Sequence, residues 1–462
     1  MFNKMSLFYK DVDPPQLHFH LHKRRGNDCD SQIRSKIDYY ISEAEIFWEK
    51  GEISEFGISI TEICRQMENN SNISMLIYNT RLFKYLEESF MYKNSIVLEV
   101  VLNIFAFLCY DDQKFTNYVY NSNLFHVLND ILVSEYESQL VFGWKIMCCI
   151  LEQIPESHNV FLDNNGFEIV VEMFSSSSNP SLEYVLSNII IIFLSVSFPI
   201  SLEQRISLLS SIMQMKKAFL LDSFLSCVSI FLLNGIHAIR SFFDYQLDST
   251  VYSVFRIITQ NHVDPYSTEN NDYVEYLLKK CLNTMKALCD STTDGYSFDQ
   301  IPYDCICQLI NRGSCEIYED LFILIDCIIM KGPYMVTQFS NHHIYGDLLG
   351  LLDNKVFSFK LYASRFFINT LLVCLPSQRK AFIFMGLLNA VMDFDPNTNC
   401  KEKFETLIYH LIHVERECLA DYYDKLMEIC DSQAFDDNFR RMIDYIVDDS
   451  AYCEYLDRIE EY

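Results

Sequence analysis

The chain reads as an all-α protein: a right-handed superhelical α-solenoid of about eight three-helix repeats, closed at both ends by helical caps. Three observations predict this class. Only 12 Gly and 10 Pro are spread over 462 residues, too little turn chemistry for a sheet-rich fold but enough for helices with short connections. Half of the residues are hydrophobic, so there is ample apolar surface to bury. One polar position and its apolar surroundings return every forty-odd residues, the spacing of stacked helical repeats.

From the N-terminus, residues 1–36 read as a polar arm. His18, His20 and His22 alternate there as metal ligands on a strand do, but no Cys or acidic cluster completes a site, so no metal is expected. The arm also carries His22-Lys23-Arg24-Arg25, diluted by Asp11, Asp13, Asp28 and Asp30. Residues 37–72 read as an N-terminal cap of two amphipathic helices broken near Lys50-Gly51. The repeat array then spans 73–417.

Within the array, the third helix of each unit is marked by Asn103, Lys145, Asn188, Ser229, Asn283, Asp326 and Asn369, at steps of 42, 43, 41, 54, 43 and 43 residues. Each marker precedes an apolar run, and His410 takes the same role in a final unit. A core position in the preceding helix gives a second ladder: Leu86, Leu128, Val170, Ile212, Phe255, Leu309 and Leu352. The two ladders stay 17 or 18 residues apart in six units and 28 apart in the fifth. One insertion between Phe255 and Asn283 explains both irregular steps, and the polar stretch 261–272 is where it belongs. A lone unit cannot bury its apolar face, so neighbours stack and share one core.

The third unit shows the plan most clearly. A short first helix ends at Asn165-Gly166, a left-handed turn; FEIVVEMF forms a second helix; Pro180 opens a long third one. With its Gly turn and its Leu-Ser-Asn core, this unit resembles the armadillo repeat of the importin-alpha and beta-catenin families. Asn103, Asn188, Asn283 and Asn369 match the Asn of that motif. The resemblance implies third helices lining a concave groove that holds an extended segment of a partner protein.

In importin-alpha-like proteins, the Asn ladder binds the backbone of a basic peptide and a Trp one turn earlier clasps its cations. Here the positions one turn earlier hold Glu99, Val141, Tyr184, Lys279, Phe322 and Arg365, so only Tyr184–Asn188 keeps the pairing. Lys279 and Arg365 oppose a basic peptide. Trp144 falls immediately before its ladder residue rather than a turn away. The expected partner-binding residues are Asn103, Tyr184, Asn188, Asn283, Asn369, Lys279 and Arg365. A side-chain amide at the ladder position also suits a purely structural role, satisfying groups of the neighbouring unit.

Residues 418–462 read as an acidic C-terminal cap with helices around DYYDKLMEIC and DNFRRMIDYIV. From Glu415 onward there are 15 acidic and 5 basic residues. A polar end suits a terminal unit whose outer face meets water; an acidic tail that recruits basic partners is the alternative.

Charge and chemistry narrow the function. The formal net charge is −27, with 36 Lys and Arg against 63 carboxylates, which argues against nucleic acid or an anionic membrane as main partner. The longest apolar runs, from Tyr184 and from Ala218, are interrupted by Ser, Asn or Asp and read as buried helices rather than membrane spans. No secretory leader is visible, no C-x-x-C pair occurs, and most of the 17 Cys lie in apolar helical runs, so a reducing cytosolic or nuclear setting is expected. No phosphate-binding Gly-rich loop, zinc helix, EF-hand or nucleophile elbow is present, and no cofactor is expected. The expected function is a non-enzymatic protein-binding scaffold or adaptor. An importin-alpha-like import adaptor is the second reading, and an enzyme concealed in the helices the third.

Overall fold

A computed structural model describes residues 31–68, 73–134, 136–214, 221–263, 271–291, 300–312, 314, 316–352, 357–393, 401–431, 435 and 437–448. Among them every regular element is a helix, as the sequence predicts. They form two compact units, the first ending at Ala238 and the second beginning at Ile239.

The first unit opens with α1 (Ser31–Lys50) and α2 (Ile53–Met67), which pack together. The arm expected over 1–36 is therefore too long, because α1 is already helical at Ser31. The break at Gly51 falls as expected, with φ at +74°, a left-handed value that a residue without Cβ adopts at no steric cost. There follow α3 (Ile73–Tyr78), α4 (Arg81–Met91) and α5 (Leu98–Asp111); α6 (Gln113–Asn121), α7 (Leu124–Ile131) and α8 (Glu137–Gln153). Next come α9 (Ser157–Asp163), α10 (Gly166–Ser176) and α11 (Pro180–Leu194), then α12 (Leu202–Gln214) and α13 (Leu221–Leu232). The unit boundary falls inside α14 (Ile236–Asp244).

The long helices pack as a row: α2 on α5, α5 on α8, α8 on α11, α11 on α13. A helix flanked on both sides and covered by shorter helices must be apolar on most faces. This is why Leu98, Val101, Leu102, Ile104, Phe105 and Leu108 are all buried on α5, and why the apolar run from Tyr184 is a buried helix. No described helix is long and apolar enough to cross a membrane.

In the second unit, α15 (Asp248–Val263) pairs with α16 (Asn271–Ser291), followed by α17 (Tyr303–Arg312) and α18 (Tyr318–Ile329). After them stand α19 (Pro333–Asn341), α20 (Ile344–Leu351), α21 (Phe357–Val373), α22 (Pro376–Phe384), α23 (Leu387–Met392) and α24 (Lys401–Glu415). Here too the long helices form a row, α16 on α18, α18 on α21, α21 on α24. A 3-10 helix (Arg416–Tyr422), α25 (Tyr423–Ile429) and α26 (Asp437–Asp444) end the described chain, close to the two C-terminal helices read from sequence.

Three details depart from the sequence reading. The insertion expected as a loop over 261–272 is partly helical: α15 runs on to Val263 and α16 already starts at Asn271, while 264–270 lie outside the described residues. Leu352, read as a core marker, is the half-exposed C-cap of α20, and Leu348 one turn earlier is the buried residue. At the α9–α10 turn the left-handed residue is Asn165 (φ 57°), not Gly166. Gly166 is required by proximity instead, since a Cβ there would sit 2.4 Å from the Phe161 ring. His343 (φ 59°) takes the equivalent left-handed place between α19 and α20.

A device absent from the sequence reading ties successive helices end to end. A polar side chain after each of several long helices caps that helix's last carbonyls, which otherwise lack partners. Thr116 Oγ1 donates to Cys109 O (2.9 Å), and His158 Nε2 lies 2.7 Å from Leu151 O. Arg205 Nε donates to Phe193 O (3.4 Å) near the end of α11 and its Nη2 to Phe198 O (2.6 Å) in the turn beyond, and Arg379 donates to Leu371 O (2.8 Å) and Cys374 O (3.1 Å). Arg379 and Glu415 are both buried, with Nη1 and Oε1 3.8 Å apart.

Two stability predictions follow from this packing. Gly166→Ala should cost about 1–3 kcal/mol, because the buried Phe161 ring must move to admit the methyl. Arg379→Ala should cost about 3–5 kcal/mol, because it leaves Glu415 buried without its counter-charge. Urea unfolding of each variant against the native chain measures both.

Candidate functional site

The residues singled out from sequence fall on the long helices: Asn103 on α5, Tyr184 and Asn188 on α11, Lys279 and Asn283 on α16, Arg365 and Asn369 on α21. The two compact units treat these positions differently.

In the first unit the two ladder amides are half-buried. Asn103 is half-buried and makes no side-chain hydrogen bond among the described residues; Glu99, one turn before it, is exposed. Asn188 hydrogen-bonds Tyr184 one turn earlier on the same helix. Burial raises the Tyr184 hydroxyl's pKa, the bond to Asn188 works against that, and the nearby Asp222 adds to the rise. Lys145 lies over the Phe142 ring at 4.9 Å, and burial lowers its pKa against the pull of Cys64 and Glu68. Trp144 is 1% exposed and packs edge-on against Phe161 at 6.3 Å, so it belongs to the core.

In the second unit the same register is occupied by a side-chain network. Lys279 lies 3.2 Å from Glu275 Oε1 and 3.4 Å from Glu316 Oε2. Burial pulls its pKa down, but the hydrogen bonds to the two carboxylates outweigh that and the net direction is up. Asn283 Nδ2 donates to Asp320 Oδ1 at 3.3 Å. Asn369 is 2% exposed; its Nδ2 donates to Asp326 Oδ1 at 2.9 Å and its Oδ1 accepts from Lys403 Nζ at 2.9 Å. Arg365 Nε stands 3.0 Å from Asp326 Oδ2. Burial raises the Asp326 pKa on balance, although Asn369, Arg365 and Lys403 all favour its charged form.

These contacts change what the expected positions can do. Asn369 is placed as a bridge across α18, α21 and α24, not as a group open to a partner, because both ends of its amide are engaged below the surface. The charges of Lys279 and Arg365 are compensated in place, so neither is the bare cation that the sequence suggested. Sequence reasoning missed Glu275, Glu316, Asp320 and Lys403. A signal for three of them exists: Lys279–Glu316 and Asn283–Asp320 are each 37 residues apart, and Lys403–Asn369 34, all near one repeat length.

No catalytic arrangement stands out. The thirteen described cysteines are reduced, and burial raises the thiol pKa at, for example, Cys64 and Cys149, to about 12 at each, which keeps them protonated and poorly nucleophilic. Among the described residues no group of three His, Cys, Asp or Glu is placed to hold a metal ion. His18, His20 and His22 lie outside the described residues.

No protein-family profile matches the chain, and no curated protein does. Among solved structures the chain is similar to an engineered protein from the Northeast Structural Genomics Consortium, at 12% identity and a TM-score of 0.50. That alignment covers 80% of this chain and 91% of the other. A second engineered protein from the consortium aligns at 11% identity and a TM-score of 0.38, over 55% of this chain and 97% of that one. At such identity the first likeness is one of fold alone.

The contrast between the units is testable. Asn369→Ala should destabilise the chain by about 1–3 kcal/mol, because it strands buried Asp326 and Lys403 groups. Asn188→Ala should stay within about 0.5 kcal/mol of the native chain. Differential thermal unfolding of the two variants is the measurement; equal losses contradict the distinction.

Proposed function

We propose that this chain is a non-enzymatic scaffold or adaptor of armadillo-type solenoid architecture that holds an extended segment of a partner protein against its long-helix face. The observation that carries the reading is the row α2–α5–α8–α11–α13, along which Asn103 and the Tyr184–Asn188 pair stand half-buried on the long helices. Side-chain amides at a repeated spacing suit the backbone of an extended chain, which offers N–H and C=O groups at about 3.3 Å per residue. The forty-odd-residue recurrence supports the repeat architecture, and the acidic balance supports a protein partner over nucleic acid. The cytosol or nucleus is the compartment consistent with reduced, buried cysteines.

A basic localisation peptide is the second reading for the same face. It is favoured by one observation, the aromatic–amide pair one turn apart at Tyr184 and Asn188.

The double variant Tyr184→Ala/Asn188→Ala should fold normally and lose partners that the native chain retains in pull-downs read by mass spectrometry. An identical set of retained proteins would remove this face from consideration. A fluorescent basic localisation peptide that shows no anisotropy change at about 100 μM, a concentration that detects affinities near −5.5 kcal/mol, ends the import reading.

A further inference from the structure

A second surface lies at one edge of the first unit, where α4 turns into α5 and α7 turns into α8. Tyr92 is 83% exposed and Ile96 66% on the first turn; Val133 is 63% and Tyr136 68% on the second. The first turn is pinned beside α7 by Lys93 Nζ, which donates to Asp130 Oδ2 at 2.9 Å. The start of α8 is tied in turn to the start of α11 through Asn179 Nδ2 and Glu137 Oε2 at 3.0 Å. The turns therefore share one edge, and Tyr92, Ile96, Val133 and Tyr136 are all exposed on it. Packing does not require this: α5 and α8 already bury their apolar faces against each other. The corresponding turn before α11 is Ser177-Ser178-Asn179, which shows that the fold accepts a polar edge at this place.

The charge around the patch has one sign. Exposed Glu99 follows Ile96, exposed Glu137 follows Tyr136, and the nearby cation Lys93 is paired with Asp130. A second copy of this chain would bring the same carboxylates face to face, on a molecule of net charge −27. From the two tyrosines, the aliphatic pair and the acidic rim, we propose that this edge is a docking site for a protein segment with apolar or aromatic anchors flanked by Lys or Arg. Tyrosine supplies large contact area at low entropic cost and is enriched where binding energy concentrates. The rim carboxylates then steer the basic flanks and set the register. The four apolar anchors lie on turns rather than on the long helices, with Glu99 bordering both surfaces, and the proposal stands whether or not the long-helix face binds a partner.

The test is selection of phage-displayed random dodecapeptides on the native chain, followed by synthesis of the recovered peptides. They are measured against the double variants Tyr92→Ser/Ile96→Ser and Val133→Ser/Tyr136→Ser. Recovered peptides should combine apolar anchors with Lys or Arg and bind each variant about 10-fold or more weakly. Their affinity should fall as salt is raised, and Tyr184→Ala/Asn188→Ala should bind them as the native chain does. The substituted side chains are exposed, so circular dichroism and thermal unfolding of both variants should match the native chain. Failure to recover peptides, recovery of acidic ones, or indifference to both double variants overturns the proposal. A native dimer in sedimentation that either double variant dissociates overturns it in favour of a second copy.

Discussion

The central long helices α5, α8 and α11 carry apolar side chains around most of their circumference, so none of them is stable with a bare flank. On α5, α8 and α11 nearly every apolar side chain is buried, which needs a neighbouring long helix on either side and shorter helices over the remaining face. Rows of helices follow from that demand, because each added helix satisfies the previous one and exposes a flank of its own. The ends must then be polar or amphipathic. The helix α26 meets this with Phe439 and Ile443 turned inward and Arg440 paired to Asp431.

Side-by-side burial leaves the helix ends unsatisfied, and at several of them the chain solves this with side chains. Thr116, His158, Arg205 and Arg379 each reach back to carbonyls at the end of the preceding long helix. A hydroxyl, an imidazole and two guanidiniums share one task because each places a donor where the turn brings it near a free C=O. Buried arginines thus have a local cause in the fold and do not mark a site for chemistry.

The electrostatic difference between the units has the same origin. In the second unit Lys279 faces Glu275 on its own helix and Glu316 beyond it, Arg365 faces Asp326 on the neighbouring helix, and Lys403 reaches Asn369, so the polar groups close upon each other. Among the described residues Asn103 and Asn188 of the first unit show no such cross-helix hydrogen bond and stand half-buried. Asn residues at similar places on the long helices therefore differ in how far they are drawn into networks. How far depends on what stands one helix away.

Helix class, the position of most long helices and the break at Gly51 were legible from the residues alone, because they depend on periodicities and turn preferences that act within one element. The spacing placed an insertion between Phe255 and Asn283 as a loop, but its described ends are helical, since a polar composition does not forbid another turn of helix that finds packing. Asn369 shows the limit most clearly. The sequence places it on a helix in the right register, but its burial and its bonds to Asp326 and Lys403 arise from residues 43 and 34 positions away. Local pattern chose the helices; contact between helices, which sets solvation and pairing for each polar group, decided which of these amides was drawn into a buried network.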